Sequence, residues 1–170
     1  MKENTDTKSF DRQHVTQAWG KVFDSHPHFF KASFPNNLSR MKHQDFMKLI
    51  TNLIPKGRDA EILELGCGRG IDSLYLASLG NNLHALDFYE TPIRNLKFAK
   101  ENYEKNLGKS LNLEMICGDF FNTNFADNQF DIVFNSGVIE HYINSDERIE
   151  LLKEMRRITK KNGYILTAFP

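Results

Sequence analysis

The chain has 170 residues, 40% of them apolar and 26% charged, with 22 basic side chains balancing 22 acidic ones. That size and composition suit a soluble domain with a core of its own, and zero net charge leaves no electrostatic footprint for nucleic acid or an anionic membrane. No apolar run approaches the roughly 20 residues that span a bilayer, and the polar stretch Met1 to Asp11 lacks the apolar centre of a secretory signal, so a cytoplasmic location is expected.

In chain order, Met1 to Asp11 is charged and aperiodic and is expected to fray. Val15, Trp19, Val22 and Phe23 recur at helical spacing. Pro27 should end that helix, because the residue before a proline, here His26, is pushed out of the α region. Phe29, Phe30, Phe34 and Pro35 follow in a looser segment. A second helix is predicted from Ser39 or Arg40 to Leu53, with Met41, Phe46, Leu49, Ile50 and Leu53 apolar, Ser39 as its N-cap and Pro55-Lys56-Gly57 as its stop. His26-Pro27-His28 has the look of a metal pair, but no carboxylate or cysteine stands beside it, so no metal is expected. Cys67 and Cys117 lack a C-x-x-C spacing and read as reduced thiols.

From Glu61 onward strand and helix alternate. Glu61–Leu65 is the first strand, Ile71–Leu79 a helix closed by Gly80, and Leu83–Asp87 the second strand. Thr91-Pro92 reads as a helix start, a capping residue followed by proline at the first helical position. That helix runs to Asn106, with Ile93, Leu96, Phe98, Ala99 and Tyr103 inward and Gly108 as its stop. Leu111–Cys117 is the third strand. Phe130–Asn135, nearly all apolar as a strand buried on both faces should be, is the fourth. Asn144 and Glu147 make a capping box for a helix through Ile158, closed by Lys160, Lys161 and Gly163, with the cations at the negative end of the dipole. Tyr164–Phe169 is the fifth strand. Strands joined by helical crossovers imply a parallel sheet, and right-handed crossovers make it a doubly wound α/β fold. Ligands bind such sheets at the carboxyl ends of the strands, near the switch in strand order. Residues 1–57 are expected to form a helical segment and 58–170 the sheet domain, together one compact unit.

The stretch Glu64-Leu65-Gly66-Cys67-Gly68-Arg69-Gly70 organises the rest. A turn without Cβ atoms takes φ > 0 and lets a ligand lie against bare backbone, and the N–H groups of the helix that follows point at it. A dinucleotide fingerprint would place its third glycine at position 71, where the chain has Ile71; the glycine stands one residue earlier, at Gly70. With Glu64 two residues before the first glycine, the stretch resembles the first motif of the class I S-adenosylmethionine-dependent methyltransferases. Asp87-Phe88, Gly118-Asp119-Phe120 and the run from Phe130 to Tyr142 follow on the elements where that family carries its later motifs. The last of these looks very like its fourth motif, especially that of small-molecule methyltransferases. The resemblance covers the chain from Glu61 to Pro170.

The resemblance implies a Rossmann-like sheet in the order 3-2-1-4-5 with helices on both faces and an N-terminal helical lid. It implies S-adenosylmethionine as cofactor, S-adenosylhomocysteine as product and a small-molecule acceptor; the neutral charge and the lack of a long apolar run add the expectation of no nucleic-acid or membrane partner. By the same likeness Glu64 and Gly66, in the turn with Cys67, would hold the methionine end. Gly68 and Gly70 would permit close approach. Asp87, beside Phe88, would take the ribose hydroxyls, Asp119 and Phe120 the adenine, and the Asn135 backbone carbonyl would lie near the sulfonium. A carboxylate at a strand end can accept both hydrogen bonds of a diol. Turn-forming roles for Asp87 and Asp119 are the alternatives.

Transfer from a sulfonium is an in-line displacement dominated by positioning, and a general base is needed only when the acceptor must lose a proton early. His141 and Glu140, just past strand four, are the catalytic candidates; ordering of their loop is the competing role. Trp19 and Phe23, with Phe29, Phe30 and Phe34, suit a lid over the acceptor, and Tyr142 its wall. Packing on the flank of the sheet would use the same rings. Arg40 reads as solvated.

The family continues past strand five with a helix and two further strands, whereas this chain stops at Phe169-Pro170. Strand five would then be an apolar edge, so a longer protein, or a homodimer or other partner covering that edge, is expected; an N-terminal segment that covers it is the alternative. Three rival functions remain: a non-catalytic cofactor-binding module; a protein or RNA methyltransferase, weakened by neutral charge and by the lack of an Asn-Pro-Pro-Tyr signature; and a nicotinamide-dependent oxidoreductase, disfavoured by Ile71.

Overall fold

The apolar runs assemble into one parallel sheet. In a computed structural model, which describes residues 12–26, 40 and 44–169, the strands are β1 (Glu61–Leu65), β2 (Asn82–Asp87), β3 (Leu113–Cys117), β4 (Phe130–Ser136) and β5 (Thr159–Ala168). Their order is β3-β2-β1-β4-β5, and each neighbouring pair is parallel. The order reverses between β1 and β4, which puts a crevice above the carboxyl ends of β1, β2 and β4. The expectations for Met1 to Asp11, Pro27, His28, Phe29, Phe30, Phe34, Pro35, Ser39 and Met41 lie outside the described residues.

The helices are α1 (Arg12–Ser25), α2 (Asp45–Leu53), α3 (Ile71–Ser78), α4 (Glu90–Leu107) and α5 (Ser145–Ile158), with a 3-10 turn at Ile139–His141. One face of the sheet packs Ile62, Leu83, Ala85, Ile132 and Phe134 against Met47 and Ile50 of α2, Leu74 and Ala77 of α3, and Leu96 and Ala99 of α4. The other packs Leu63, Leu65, Leu86 and Val133 against Val15 of α1 and Leu151, Met155 and Ile158 of α5. Successive strand residues thus serve opposite layers, and each such buried side chain contributes about 1.5–3 kcal/mol.

Several local expectations are corrected. Phe98 is 62% exposed, because the buried stripe of α4 is Pro92, Leu96, Ala99 and Tyr103 and a residue two places from Leu96 lies on the opposite side of the helix. Leu49 and Val22 are exposed for the same kind of reason: Met47 and Ile50 carry the buried face of α2, Val15 and Phe23 that of α1. The helix expected to start at Thr91-Pro92 begins at Glu90, with Tyr89 as its N-cap and no side-chain cap bond. Only half of the Asn144–Glu147 capping box forms. Asn144 Oδ1 accepts from Asp146 N at 2.9 Å, whereas Glu147 Oε1 accepts from the backbone N–H of Arg12 at 2.6 Å and so ties α1 to α5.

The cations in the last turn of α5 are Arg156 and Arg157, not Lys160 and Lys161, because β5 starts at Thr159, five residues earlier than Tyr164. Its first part is irregular: Phe130 faces Thr159, but Ile132 already faces Tyr164. Gly163 permits this, since a Cβ there would stand 2.6 Å from the Asp131 carbonyl oxygen. Asp131 itself interrupts the apolar strand. Its carboxylate accepts from Arg58 at 2.8 and 2.5 Å, from Glu61 N at 3.0 Å, and pairs with Lys160 at 3.0 Å. These cations hold it well below the usual carboxylate range. Asp131 thereby clasps β1, β4 and β5 at the end of the sheet opposite the crevice. Among the described residues no helix is long and apolar enough to cross a membrane.

Candidate functional site

The crevice is built on the turn after β1. The N–H groups of Gly66 and Cys67 both donate to Leu86 O, at 2.8 and 3.1 Å, which pins the turn to β2, and Gly70 N closes it on Cys67 O at 2.6 Å. Gly66, Gly68 and Gly70 have φ of 69°, 47° and 62°, a region that L side chains enter at a cost. What surrounds them differs. A Cβ on Gly66 would stand 2.4 Å from Val138 Cγ2 and one on Gly70 2.5 Å from Leu96 Cδ1, whereas one on Gly68 would meet nothing within 4 Å. Gly66 and Gly70 are therefore small because protein packs on them, and Gly68 is the position where bare backbone faces open space.

That space is a cavity of about 340 Å³, within the range of small-molecule sites. The turn from Gly66 to Gly70 forms its floor, together with Glu64, Asp72 and Asp87. Its walls are aromatic: Trp19 and Phe23 from α1, Phe88 and Tyr89 after β2, Phe120 after β3, and His141 and Tyr142 after β4. The Trp19 ring lies 5.0 Å from that of His141, edge-on, and 5.8 Å from Phe23. Phe88 and Phe120 are 4.2 Å apart.

Each acidic group on the floor has a physical reason for its state. Glu64 Oε2 accepts from Ser73 N at 3.1 Å and from its hydroxyl at 2.5 Å, fastening the first turn of α3 to β1. Burial pushes its carboxyl well above the usual range, and the nearby Asp72 adds to this. Asp87 Oδ2 accepts from Gly68 N at 2.9 Å and Oδ1 from Tyr89 N at 3.2 Å. Burial nevertheless raises Asp87 to about 6, and Asp72 likewise to about 6. Burial also drives up the Cys67 thiol and the Tyr142 phenol, so both stay neutral near neutral pH.

Of the residues singled out from sequence, Glu64, Gly66, Cys67, Gly68, Gly70, Asp87, Phe88, Phe120, Trp19, Phe23, His141 and Tyr142 line this one cavity. Asp119, Asn135 and Glu140 do not. Asp119 Oδ1 accepts from Phe121 N at 2.8 Å in its own turn, and Oδ2 lies 3.8 Å from Arg12. Asn135 is fully buried, its amide 3.6 Å from Met155 Sδ. Asp72 and Tyr89 were missed. The first was legible as an acid in the first turn of the helix after the glycines, the second as the aromatic two residues past Asp87. Val138, which fills the place beside Gly66, left no sequence signal. Among the described residues no group of three or more His, Cys, Asp or Glu side chains could hold a metal ion.

The donor set fits S-adenosylmethionine. Burial raises the carboxyls of Glu64, Asp72 and Asp87, and a cation beside them would favour their charged forms; a carboxylate beside bare backbone suits a diol, and aromatic edges suit a purine.

Residues 63–167 match the family described as "Methyltransferase domain", and the chain belongs to it, among the class I S-adenosylmethionine-dependent methyltransferases. It is 33% identical over 106 residues to the Haemophilus influenzae protein named "Probable S-adenosyl-L-methionine-dependent methyltransferase TehB", a match covering 62% of this chain and 34% of that one. It is 25% identical over 162 residues to the malonyl-[acyl-carrier protein] O-methyltransferase of Pectobacterium atrosepticum, covering 95% of this chain and 55% of the relative. A solved S-adenosylmethionine-dependent methyltransferase of Methanosarcina mazei superposes with a TM-score of 0.63 at 28% identity, over 70% of this chain and 55% of that one. The chain thus spans a third to about half of the length of these relatives.

Proposed function

We propose that this member of the methyltransferase domain family transfers a methyl group from S-adenosylmethionine to a small-molecule acceptor, leaving S-adenosylhomocysteine. The observation that carries this reading is the convergence of Glu64, Asp72 and Asp87 with the bare Gly68 backbone on one hollow roofed by aromatic rings. A cavity of about 340 Å³ walled by α1 favours a compact acceptor over a polymer.

The bound cofactor supplies a methyl already activated on a positively charged sulfur. The chain's own residues have to position, desolvate and neutralise. The hydrogen bonds from Ser73 to Glu64 both go to Oε2, which leaves Oε1, with Asp72, for an ammonium group. Asp87 is preorganised by two backbone N–H groups to accept from ribose hydroxyls. Phe88 and Phe120 flank the adenine, and the neutral Tyr142 phenol donates a hydrogen bond rather than moving a proton. His141, in the wall against Trp19, takes a proton from an acceptor that must lose one.

Transfer of labelled methyl to a panel of small amines, alcohols, thiols and carboxylic acids tests this. Turnover is expected on one class, with His141→Ala lowering kcat by about 10²–10⁴-fold while S-adenosylhomocysteine affinity stays within about twofold. Tight cofactor binding with no turnover on any class would leave a binding module instead. Full turnover in His141→Ala would make the histidine scaffolding.

A further inference from the structure

The rings of the cavity fall into two groups. Phe88 and Phe120, 4.2 Å apart after β2 and β3, flank the adenine in the reading above. A second band runs from the loop after β4 along α1 to the end of β2. His141 lies 5.0 Å from Trp19, Trp19 5.8 Å from Phe23, and Phe23 5.5 Å from Tyr89. All four line the cavity. The cofactor carries one aromatic ring system, its purine, and the first group takes it. The second band is left for the acceptor.

Charge is divided in the same way. The Glu, Asp and Arg side chains of the lining, Glu64, Arg69, Asp72 and Asp87, belong to β1, its turn, the start of α3 and the end of β2. Among the described residues, α1 and the loop after β4 add no Asp, Glu, Lys or Arg to the lining. The polar group that α1 does present, the Thr16 hydroxyl, already donates to Arg12 O at 2.7 Å. An ion lodged at this end would give up water without gaining a partner of opposite sign, and a cation would also face the sulfonium. An uncharged ring loses little water there and gains edge or offset contacts with Trp19. Its nucleophile follows from the base beside it. A phenolic hydroxyl ionises near a pKa of about 10, roughly six units below water, so an imidazole can take its proton during transfer far more readily than that of an aliphatic alcohol.

We propose that the acceptor is an uncharged aromatic molecule with a phenolic hydroxyl, its ring held against Trp19 and its oxygen beside His141. This rests on reading the cavity as a methyltransferase site and adds the acceptor's chemical class to it. In the transfer the oxygen gives its proton to His141 while its electron pair forms the new oxygen–carbon bond, and the sulfur–carbon bond breaks with its pair left on sulfur. The products are an aryl methyl ether, S-adenosylhomocysteine and a proton that His141 passes to water. Trp19 is here the binding residue that sets specificity.

The test uses the full chain and probes that share a methyl-bearing six-membered ring: 4-methylphenol, 4-methylcyclohexanol, 4-methylbenzoate and 4-methylbenzylamine. Each is titrated calorimetrically at neutral pH, with and without S-adenosylhomocysteine, into wild type, Trp19→Leu and Trp19→Phe. The phenol is expected to bind wild type about three- to tenfold more tightly than the saturated alcohol, and at least about tenfold more tightly than either charged probe. Trp19→Leu, apolar but without a ring, should remove the preference for the phenol over the saturated alcohol. Trp19→Phe should keep most of it, and S-adenosylhomocysteine affinity should change little in both. A merely structural tryptophan would move all four probes alike. Equal binding of phenol and saturated alcohol to wild type, tighter binding of the carboxylate or the amine, or a preference that survives in Trp19→Leu overturns the proposal. Phenol preference in a chain that binds no S-adenosylhomocysteine would uphold the ring site and sink the methyltransferase reading; S-adenosylhomocysteine binding with no probe bound would do the reverse.

Discussion

The two ends of the cavity are built differently. At the β1–β2 end the acids are held before any ligand arrives. Gly68 and Tyr89 grip Asp87, Ser73 grips Glu64, and two of the three glycines are backed by Val138 and Leu96. At the β4 end the wall is the loop after the strand, with Gly137, Val138, His141 and Tyr142, and His141 stands edge-on to Trp19 of α1. A preformed end suits a cofactor that is the same in every turnover, and an aromatic end shared between α1 and the loop after β4 suits an acceptor. Binding strength should therefore reside in β1 and β2, and acceptor choice in the loop after β4.

The sharpest way to break this contrast is through the glycines. Gly70→Ala drives a Cβ to 2.5 Å from Leu96 at φ +62°, and urea unfolding should show a loss of about 2–4 kcal/mol. Gly68→Ala meets nothing within 4 Å, so it should cost about 1 kcal/mol in stability yet weaken the cofactor at least about tenfold by filling its place. Equal stability losses would mean that the turn is shaped by packing alone. Next in size, Asp87→Ala should weaken S-adenosylhomocysteine by about 1–3 kcal/mol in calorimetry; unchanged affinity would remove Asp87 from the ribose.

Acidity sharpens the same end. Asp72 and Asp87 stand at about 6, so they are largely neutral at pH 5 and ionised at pH 7. Affinity for cationic S-adenosylmethionine should then rise with pH through this window, by about tenfold for each group that must ionise. S-adenosylhomocysteine, lacking the sulfonium, should show a shallower slope. The smallest effect is expected at the latch of α1. Arg12 sits 3.7 Å over the Phe121 ring and 2.5 Å from Glu150. Arg12→Ala should cost about 0.5–1.5 kcal/mol and speed product release in a stopped-flow chase.

The sheet was legible because buried parallel strands are near-continuous apolar runs bounded by turn residues, as Ile62–Leu65 and Ile132–Phe134 are. Which helix residues face inward was less so. Phe98 and Leu49 are as apolar as their buried neighbours, and only the partner layers decide. The β5 start was hidden because Lys160 and Lys161 look like helix-end cations until Asp131 is seen to claim one of them. At the site, what could be read ahead is that the glycine turn, Glu64 and Asp87 meet at one hollow. Asp119 does not join them, because its turn and Arg12 engage its carboxylate, and that pairing depends on α1, far away in the sequence.

The chain's only tryptophan, Trp19, stands in the cavity wall, so its fluorescence reports occupancy directly. Titration with S-adenosylmethionine should give a saturable change that Asp87→Ala shifts to higher concentration and that NAD does not reproduce. A flat response to S-adenosylmethionine, or saturation by NAD at comparable concentration, would contradict the assignment of this cavity to an adenosyl sulfonium.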